Sequence, residues 1–199
     1  MDLAPHIQLL TEFSDYLKTN PRADIEDFCR HRLFNADKPG SEKIVGGIIP
    51  PDNGALLVKL LHRIGKLIHI FAENAIQSTG LGSFEEFLIL NAVFALKTPN
   101  KHEAISANLL EYSTGINIIR RLIARKLLAD KPGQIDKRSR QLTITRTGEG
   151  ILQKCYKRLG VANEMILEKM DKQNRHLAIH ILQDTEIYCS GLYAQQKEG

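Results

Sequence analysis

The chain has 199 residues, of which 43% are hydrophobic and 25% are charged, and its formal net charge is +4. This length allows one domain with an extension and a sizeable buried core. No segment approaches the roughly 18 apolar residues of a membrane span, and the N-terminal segment carries acids where a signal peptide carries bases. We therefore predict a cytoplasmic protein without a membrane partner.

Two short amphipathic helices are predicted in the first third of the chain. Segments 6–17 and 23–34 each carry an apolar stripe at helical spacing, with Pro21 between them. Residues 36–52 contain three prolines and three glycines, which favours a linker or an exposed loop. We therefore assign residues 1–52 to an N-terminal helical extension and linker.

A long helix over about 54–78 is predicted next, and it ends at a pair of glycines. Ser83 with Glu86 and Asn100 with Glu103 each match a capping box, the pattern in which a polar side chain and a glutamate satisfy the free N–H groups of a helix start. Two further helices are therefore predicted to begin at these positions.

The following helix, which extends to about Leu127, is amphipathic and basic. The apolar side is predicted to consist of Ile116, Ile119, Ile123 and Leu127, and the opposite side of Thr114, Asn117, Arg121 and Arg125. No acidic residue occurs between Gly115 and Ala129. A random polar face would usually contain acids as well.

The segment IDKRSRQLTITRTGEG, residues 135–150, begins with a burst of charge and continues with strict alternation. Leu142 and Ile144 alternate with Thr143 and Thr145, which predicts a half-buried strand. With the Pro-Gly pair before it, this strand is expected to form a β-hairpin with a basic tip.

Basic residues are concentrated around this region. Between residues 112 and 158, twelve lysines and arginines against three acids give a local net charge of +9, which leaves −5 for the remainder. Such asymmetry is typical of a region that binds a polyanion. A solvated basic face is the alternative that charge alone leaves open.

The order of the predicted elements is typical of a winged helix-turn-helix: two capped helices, then a basic amphipathic helix, then a basic hairpin. The second helix of such a unit enters the DNA major groove. On the segments STGINIIRRLIARKLL and DKRSRQLTITRTGEGIL the chain resembles the MarR family of transcriptional regulators. Asp136 and Arg138 match the Asp-x-Arg of the family's wing. Ile144, Thr145 and Gly148 match its Leu-Thr-x-x-Gly, with Ile in place of Leu.

The resemblance covers about residues 53–196 and implies a mainly α fold with a small β-hairpin wing. In that fold, helices 54–78, 147–170 and 174–195 flank the DNA-binding unit, residues 83–146. It also implies a homodimer on a pseudo-palindromic double-stranded DNA site. The apolar stripes of the three flanking helices exceed what one small core can cover, which agrees with a shared interface. Cover by the N-terminal helices within one subunit is the alternative.

The resemblance further implies which side chains contact DNA. On the basic helix these are Ser113, Thr114, Asn117, Ile118, Arg121 and Arg125. Thr114 and Asn117 are expected to bind base edges, and Ile118 to touch a thymine methyl group. In the wing, Arg138 is expected to enter the minor groove, Lys137 and Arg140 to contact phosphate, and Asp136 to brace a nearby arginine.

The chain departs from the family pattern at two positions. Lys126 stands where the family usually has Gly, so the end of the recognition helix is expected to be shaped differently. Asp130 stands where the family usually has Arg, which removes a positive charge from the base of the wing.

The evidence in the sequence for a metal site or a reactive thiol is weaker. His176 and His180 have the spacing of two metal ligands on one helix face, but no partner ligand is apparent, and we predict neither metal nor cofactor. Cys29 lies among basic residues that would activate a thiol, yet it shares an apolar stripe, so a buried inert thiol is favoured. Cys155 and Cys189 are interpreted as core or interface residues.

These patterns favour a dimeric, sequence-specific DNA-binding regulator, repressor or activator, that responds to a small-molecule effector. No phosphate loop, nucleophile elbow or pair of catalytic carboxylates is present, so an enzyme is not expected. The alternative function is a protein-interaction module that keeps the winged-helix fold without reading DNA, with residues 1–52 as its working part.

Overall fold

The computed structural model describes residues 3–35, 52–132 and 140–198. The chain divides between Leu57 and Val58 into two compact units. In chain order the elements are α1 (Ala4–Thr19), α2 (Ile25–Asn35), α3 (Asn53–Ile76), α4 (Phe84–Leu96), α5 (Lys101–Ser106), α6 (Tyr112–Ala124), β1 (Leu128–Pro132), β2 (Arg140–Ile144), α7 (Arg146–Ile166) and α8 (Lys172–Glu198). None of the described helices is long and apolar enough to cross a membrane.

In the N-terminal unit, α1 and α2 pack through an aromatic cluster. The ring of Phe28 is buried and lies 5.0 Å from that of Phe13 and 5.7 Å from that of Tyr16, measured between centroids. Arg32 and Glu12 form an ion pair of 3.2 Å between the two helices. Cys29, which the sequence favoured as a buried thiol, is exposed, because Phe28 rather than its neighbour faces α1; that prediction is wrong.

In the second unit, α4, α5 and α6 surround a closely packed core. The largest fully buried side chains include Ile89, Leu90, Ile105, Ile119, Leu122, Leu142 and Leu152. Gly115 allows α5 and α6 to approach, because a Cβ atom there would lie 2.5 Å from Cγ1 of Ile105. The absence of a side chain at residue 115 thus permits the close contact between α5 and α6.

The capping predictions have different outcomes. Asn100 and Glu103 form the full capping box that the sequence predicts for α5. At α4, Ser83 accepts a hydrogen bond from the backbone of Glu86, but the Glu86 carboxylate accepts one from the backbone N–H of Gly82, at 2.8 Å, instead of completing the box. The Glu86 carboxylate therefore reaches back over the start of α4 to the residue before the N-cap.

The two strands form an antiparallel hairpin in which Leu128 pairs with Ile144 and Pro132 with Arg140. The predicted strand is confirmed, with Leu142 fully buried and Ile144 packed against the core, but Thr143 is half-buried like Ile144, so the alternation in burial is incomplete. The backbone N–H of Leu142 also donates to the carbonyl of Pro99, at 2.8 Å. The hairpin is therefore attached to the segment between α4 and α5.

The three long helices α3, α7 and α8 leave much of their apolar surface exposed. On α3 these side chains include Leu57, Val58, Ile64, Leu67, Ile68 and Phe71; on α7, Val161 and Met165; and on α8, Leu177, Ile181, Ile187 and Leu192. Their bounds agree with the predicted helices to within a few residues. Exposed apolar residues in this number are typical of an interaction surface.

Candidate DNA-binding surface

The helix α6 presents different residues to solvent than the sequence predicts. Its buried face consists of Gly115, Ile118, Ile119 and Leu122. Ile118 is 3% exposed, so the expectation that it touches a base is wrong. The reason is that the buried stripe is centred near Ile118 and Leu122, whereas Ile116 and Ile123, predicted to be central, lie at its half-buried margins.

Opposite this face lies a row of exposed residues at helical spacing, which we call the outer ridge: Ser113, Asn117, Arg120 and Ala124. Two predicted DNA-contact residues, Ser113 and Asn117, belong to it. Arg120 belongs to it as well and is absent from the sequence-based set. Its spacing of three residues from Asn117 is the signal that could have identified it.

The N-terminus of α6 is capped by a carboxylate. Glu111 accepts hydrogen bonds from the backbone N–H groups of Ser113, at 2.7 Å, and Thr114, at 3.2 Å, and from the Ser113 hydroxyl, at 2.5 Å. The Ser113 hydroxyl and these backbone groups lower the pKa of Glu111. The hydroxyl proton of Ser113 is thus engaged by the cap, which leaves its oxygen as an acceptor.

Arg121 and Arg125 lie on a flank of α6 and bind one buried carboxylate. Nε of Arg121 is 3.1 Å from Oε1 of Glu86, and Nη1 of Arg125 is 2.8 Å from Oε2. Nη2 of Arg125 also donates to the carbonyl of Gly80. The side chain of Glu86 is 3% exposed, and a buried carboxylate is stable only when paired. Both predicted DNA contacts therefore carry a structural role within the protein.

The end of α6 retains a left-handed residue in spite of its sequence. Lys126 has φ 57°. Its backbone N–H bonds to the carbonyl of Ile123, and that of Leu127 to the carbonyl of Leu122, both at 2.9 Å. These two bonds form a Schellman motif, which usually contains glycine at this position. The expectation of a differently shaped helix end is wrong, because the buried pair of Leu122 and Leu127 holds the turn.

At the base of the wing, Asp130 forms ion pairs with two basic side chains. It accepts from Nε of Arg140 and pairs with Nζ of Lys101, each at 2.8 Å. Burial raises the pKa of Asp130, but the hydrogen bonds and charges of Lys101 and Arg140 outweigh it, so the pKa lies below its ordinary value. Arg140, predicted as a phosphate contact, is thus held by the residue that replaces a basic one in the family.

Asp136, Lys137 and Arg138 lie outside the described residues. The roles of Arg138 in the minor groove, Lys137 at phosphate and Asp136 as a brace therefore stay predictions.

Thr145 and Gly148 explain part of the resemblance to the family's wing. The Thr145 hydroxyl caps α7 by accepting from the backbone of Gly148, at 3.0 Å, and donates to the carbonyl of Lys126, at 2.8 Å. Its backbone N–H donates to the carbonyl of Leu127, at 3.0 Å. The end of α6, the end of the wing and the start of α7 therefore meet at one threonine.

The histidines and cysteines singled out in the sequence form no metal site among the described residues. Among the described residues, no group of three or more His, Cys, Asp or Glu side chains could hold a metal ion. His176 and His180 are exposed on α8. Cys155 is buried, as predicted, and burial raises the pKa of its thiol, which donates to Thr79 at 3.4 Å. Cys189 is exposed.

These elements define a winged helix-turn-helix flanked by long helices. It is the fold of MarR-family transcriptional regulators, so the fold predicted from the sequence is confirmed. No protein-family model and no curated protein sequence matches the chain.

Three solved structures illustrate the likeness. BpsR of Bordetella bronchiseptica, studied for the regulation of its DNA binding by 6-hydroxynicotinic acid, has a TM-score of 0.61 and 20% identity over 69% of this chain and 98% of that chain. A MarR mutant from E. coli in complex with operator DNA has a TM-score of 0.60 and 14% identity over 65% and 92%. PcaV of Streptomyces coelicolor with its natural ligand has a TM-score of 0.58 and 16% identity over 70% and 97%.

Proposed function

We propose that the protein is a sequence-specific, double-stranded DNA-binding transcriptional regulator of the cytoplasm and not an enzyme. The observation that carries this proposal is the outer ridge of α6, which is exposed and contains no acidic residue, on a helix that packs against β1 of the hairpin. A helix with these properties fits the major groove, where polar side chains reach base edges.

We further propose that residues 53–196 act as a homodimer and that residues 1–52 are an extension. An apolar groove of about 420 Å³ lies between α3 and α7 and is lined by Ile64, Leu67, Ile68, Phe71, Met165 and Ile166. Exposed apolar residues on α8 provide a surface that a second copy can place against such a groove. Two copies would present two α6 helices to a pseudo-palindromic site.

A small-molecule effector is the third part of the proposal. BpsR is regulated in its DNA binding by 6-hydroxynicotinic acid, and PcaV is known with a natural ligand. Effectors of this kind shift the population of two arrangements of the recognition helices. No residue of this chain is assigned to the effector.

The test begins with the selection of duplexes from a random-sequence pool by the wild-type protein. The enriched duplex and a scrambled duplex are then compared by fluorescence anisotropy at several salt concentrations. We expect preferential binding that weakens steeply with salt, because phosphate contacts release counterions. Arg138→Ala should lower the affinity for both duplexes. Leu67→Glu should yield a monomer in analytical ultracentrifugation. Enrichment of no sequence would contradict the proposal and favour the alternative, a protein-interaction module.

A further inference from the structure

The recognition helix carries three arginines whose surroundings differ. Arg121 and Arg125 share the carboxylate of Glu86, and Arg125 is additionally bound to Gly80. For the guanidinium of Arg120, no ion pair with a described residue is found. The three residues are close in sequence and identical in type, so the difference arises from their position around the helix.

That position follows from the helical period. A residue advances by about 100° around an α-helix, so Asn117, Arg120 and Ala124 follow one another along the side that is opposite the buried face. Thr114, Arg121 and Arg125 form a second row, which is turned toward the start of α4. Glu86 lies under this second row, and its carboxylate is almost completely buried.

The carboxylate cannot easily release either arginine. Each of its oxygens accepts one guanidinium bond, and Oε2 also accepts the N–H of Gly82. An arginine that moved to a DNA phosphate would leave a buried anion with fewer partners, which opposes the movement. Arg120 has no such competing bond among the described residues.

We propose that Glu86 is a positioning residue that fixes the orientation of α6 through Arg121 and Arg125, and that Arg120 is the arginine of this helix that contacts DNA. This inference rests on the proposed function. Arg120 on the outer ridge can pair with the O6 and N7 atoms of guanine or with phosphate, and Asn117 lies one turn before it. Arg121 and Arg125 remain with the protein.

The first arm of the test compares two adjacent arginines of the same chemistry. Arg120→Gln should lower affinity for the selected duplex at least tenfold, with an unchanged Tm of the free protein. A slope of log affinity against log salt that falls by about one identifies a phosphate contact, and an unchanged slope identifies a contact with guanine. Arg121→Gln should leave that slope unchanged and lower the Tm by about 4 °C or more. The reverse pattern would overturn the assignment of Arg120.

The second arm concerns Glu86 and is measured at a temperature where each variant is folded. Glu86→Gln should reduce the ratio of affinities for the selected and scrambled duplexes at least tenfold, while binding to the scrambled duplex is retained. An unchanged ratio would show that Glu86 only stabilises the fold. In free protein, the loss of Tm caused by Arg121→Gln should shrink when Glu86 is already glutamine.

The failure of the proposed function is distinguishable from the failure of this inference. If the wild-type protein enriches no sequence, the proposed function and the DNA contact of Arg120 fail together. The double-mutant cycle of Glu86 and Arg121 needs no DNA. Additive effects in that cycle would contradict the pairing even in a protein that binds DNA.

Discussion

The backbone carbonyl of Leu127 lies against the Cα of Gly148, so that a Cβ atom at residue 148 would collide with the carbonyl oxygen. The glycine is required here by close approach rather than by its dihedral angles. The same carbonyl accepts hydrogen bonds from Thr145. The contact therefore joins the turn that ends α6 to the start of α7.

Gly148→Ala is expected to destabilise the protein by about 2 kcal/mol or more, because the new methyl group must displace backbone atoms. The matched control is Gly150→Ala on the same helix, where a Cβ atom meets nothing within 4 Å. The control should stabilise the protein by about 0.5 kcal/mol through helix propensity. Urea unfolding followed by circular dichroism measures both changes, and equal effects of the two variants would contradict the close approach.

Lys126→Gly is expected to raise stability by about 1 kcal/mol, because glycine adopts a left-handed conformation without the strain of a side chain. Lys126→Ala serves as the control, since it removes the same charge and retains the strain. The free energy of unfolding in urea measures both. A gain of the same size in the alanine variant would show that charge, and not the φ of 57°, sets the effect.

Asp130→Asn should destabilise the folded protein at about pH 7 by about 2 kcal/mol, since two charge-assisted contacts are lost. The folded pKa of Asp130 lies below the ordinary value of 3.8. The stabilisation by the carboxylate is therefore fully present above this ordinary value and disappears as the pH falls through the folded pKa.

Chemical unfolding at a series of pH values tests this expectation. The difference between wild type and Asp130→Asn should narrow only in the acid range, below the ordinary pKa. Glu164→Gln, which breaks the ion pair of an exposed carboxylate with Arg175, should change stability by less than about 1 kcal/mol throughout. A constant difference for Asp130→Asn down to the lowest pH would refute the role of its charge.

The cysteines are expected to differ in reactivity. Cys29 is exposed, whereas Cys155 is buried and its thiol pKa is raised by that burial. A brief treatment with iodoacetamide at about pH 8 should modify Cys29 in the native protein and Cys155 only after unfolding, because the thiolate is the reactive form. Peptide mass spectrometry identifies the modified residue. Rapid alkylation of Cys155 in the native protein would mean that the core opens readily.

The sequence predicts the order of the elements well because each one carries its own local signal. The capping box of Asn100 and Glu103 marks a helix start, and the alternation around Leu142 marks a strand. Thr145 and Gly148 are identified by resemblance, and the structure supplies the physical reason for both residues.

The side-chain partners could not be predicted in the same way, because they depend on contacts between distant segments. Glu86 looks like half of a capping box, and only the fold brings it beside Arg121, which is 35 positions away. Similarly, a shift of the buried stripe by one residue, which is about 100° around the helix, moves Ile118 into the core and Arg120 onto the outer ridge. Periodicity in a short helix does not fix that rotation by itself.

The position of Thr145 at the start of α7 links the apolar end of this helix to the hairpin and to α6. This helix begins at the threonine and carries exposed apolar residues near its other end, at Val161 and Met165. Its 21 residues span about 31 Å at 1.5 Å per residue. A tilt of about 10° about the apolar end of so long a rod displaces the threonine end by about 5 Å. A single helix thus connects the exposed apolar residues to Thr145, where the end of α6 and the end of the hairpin meet.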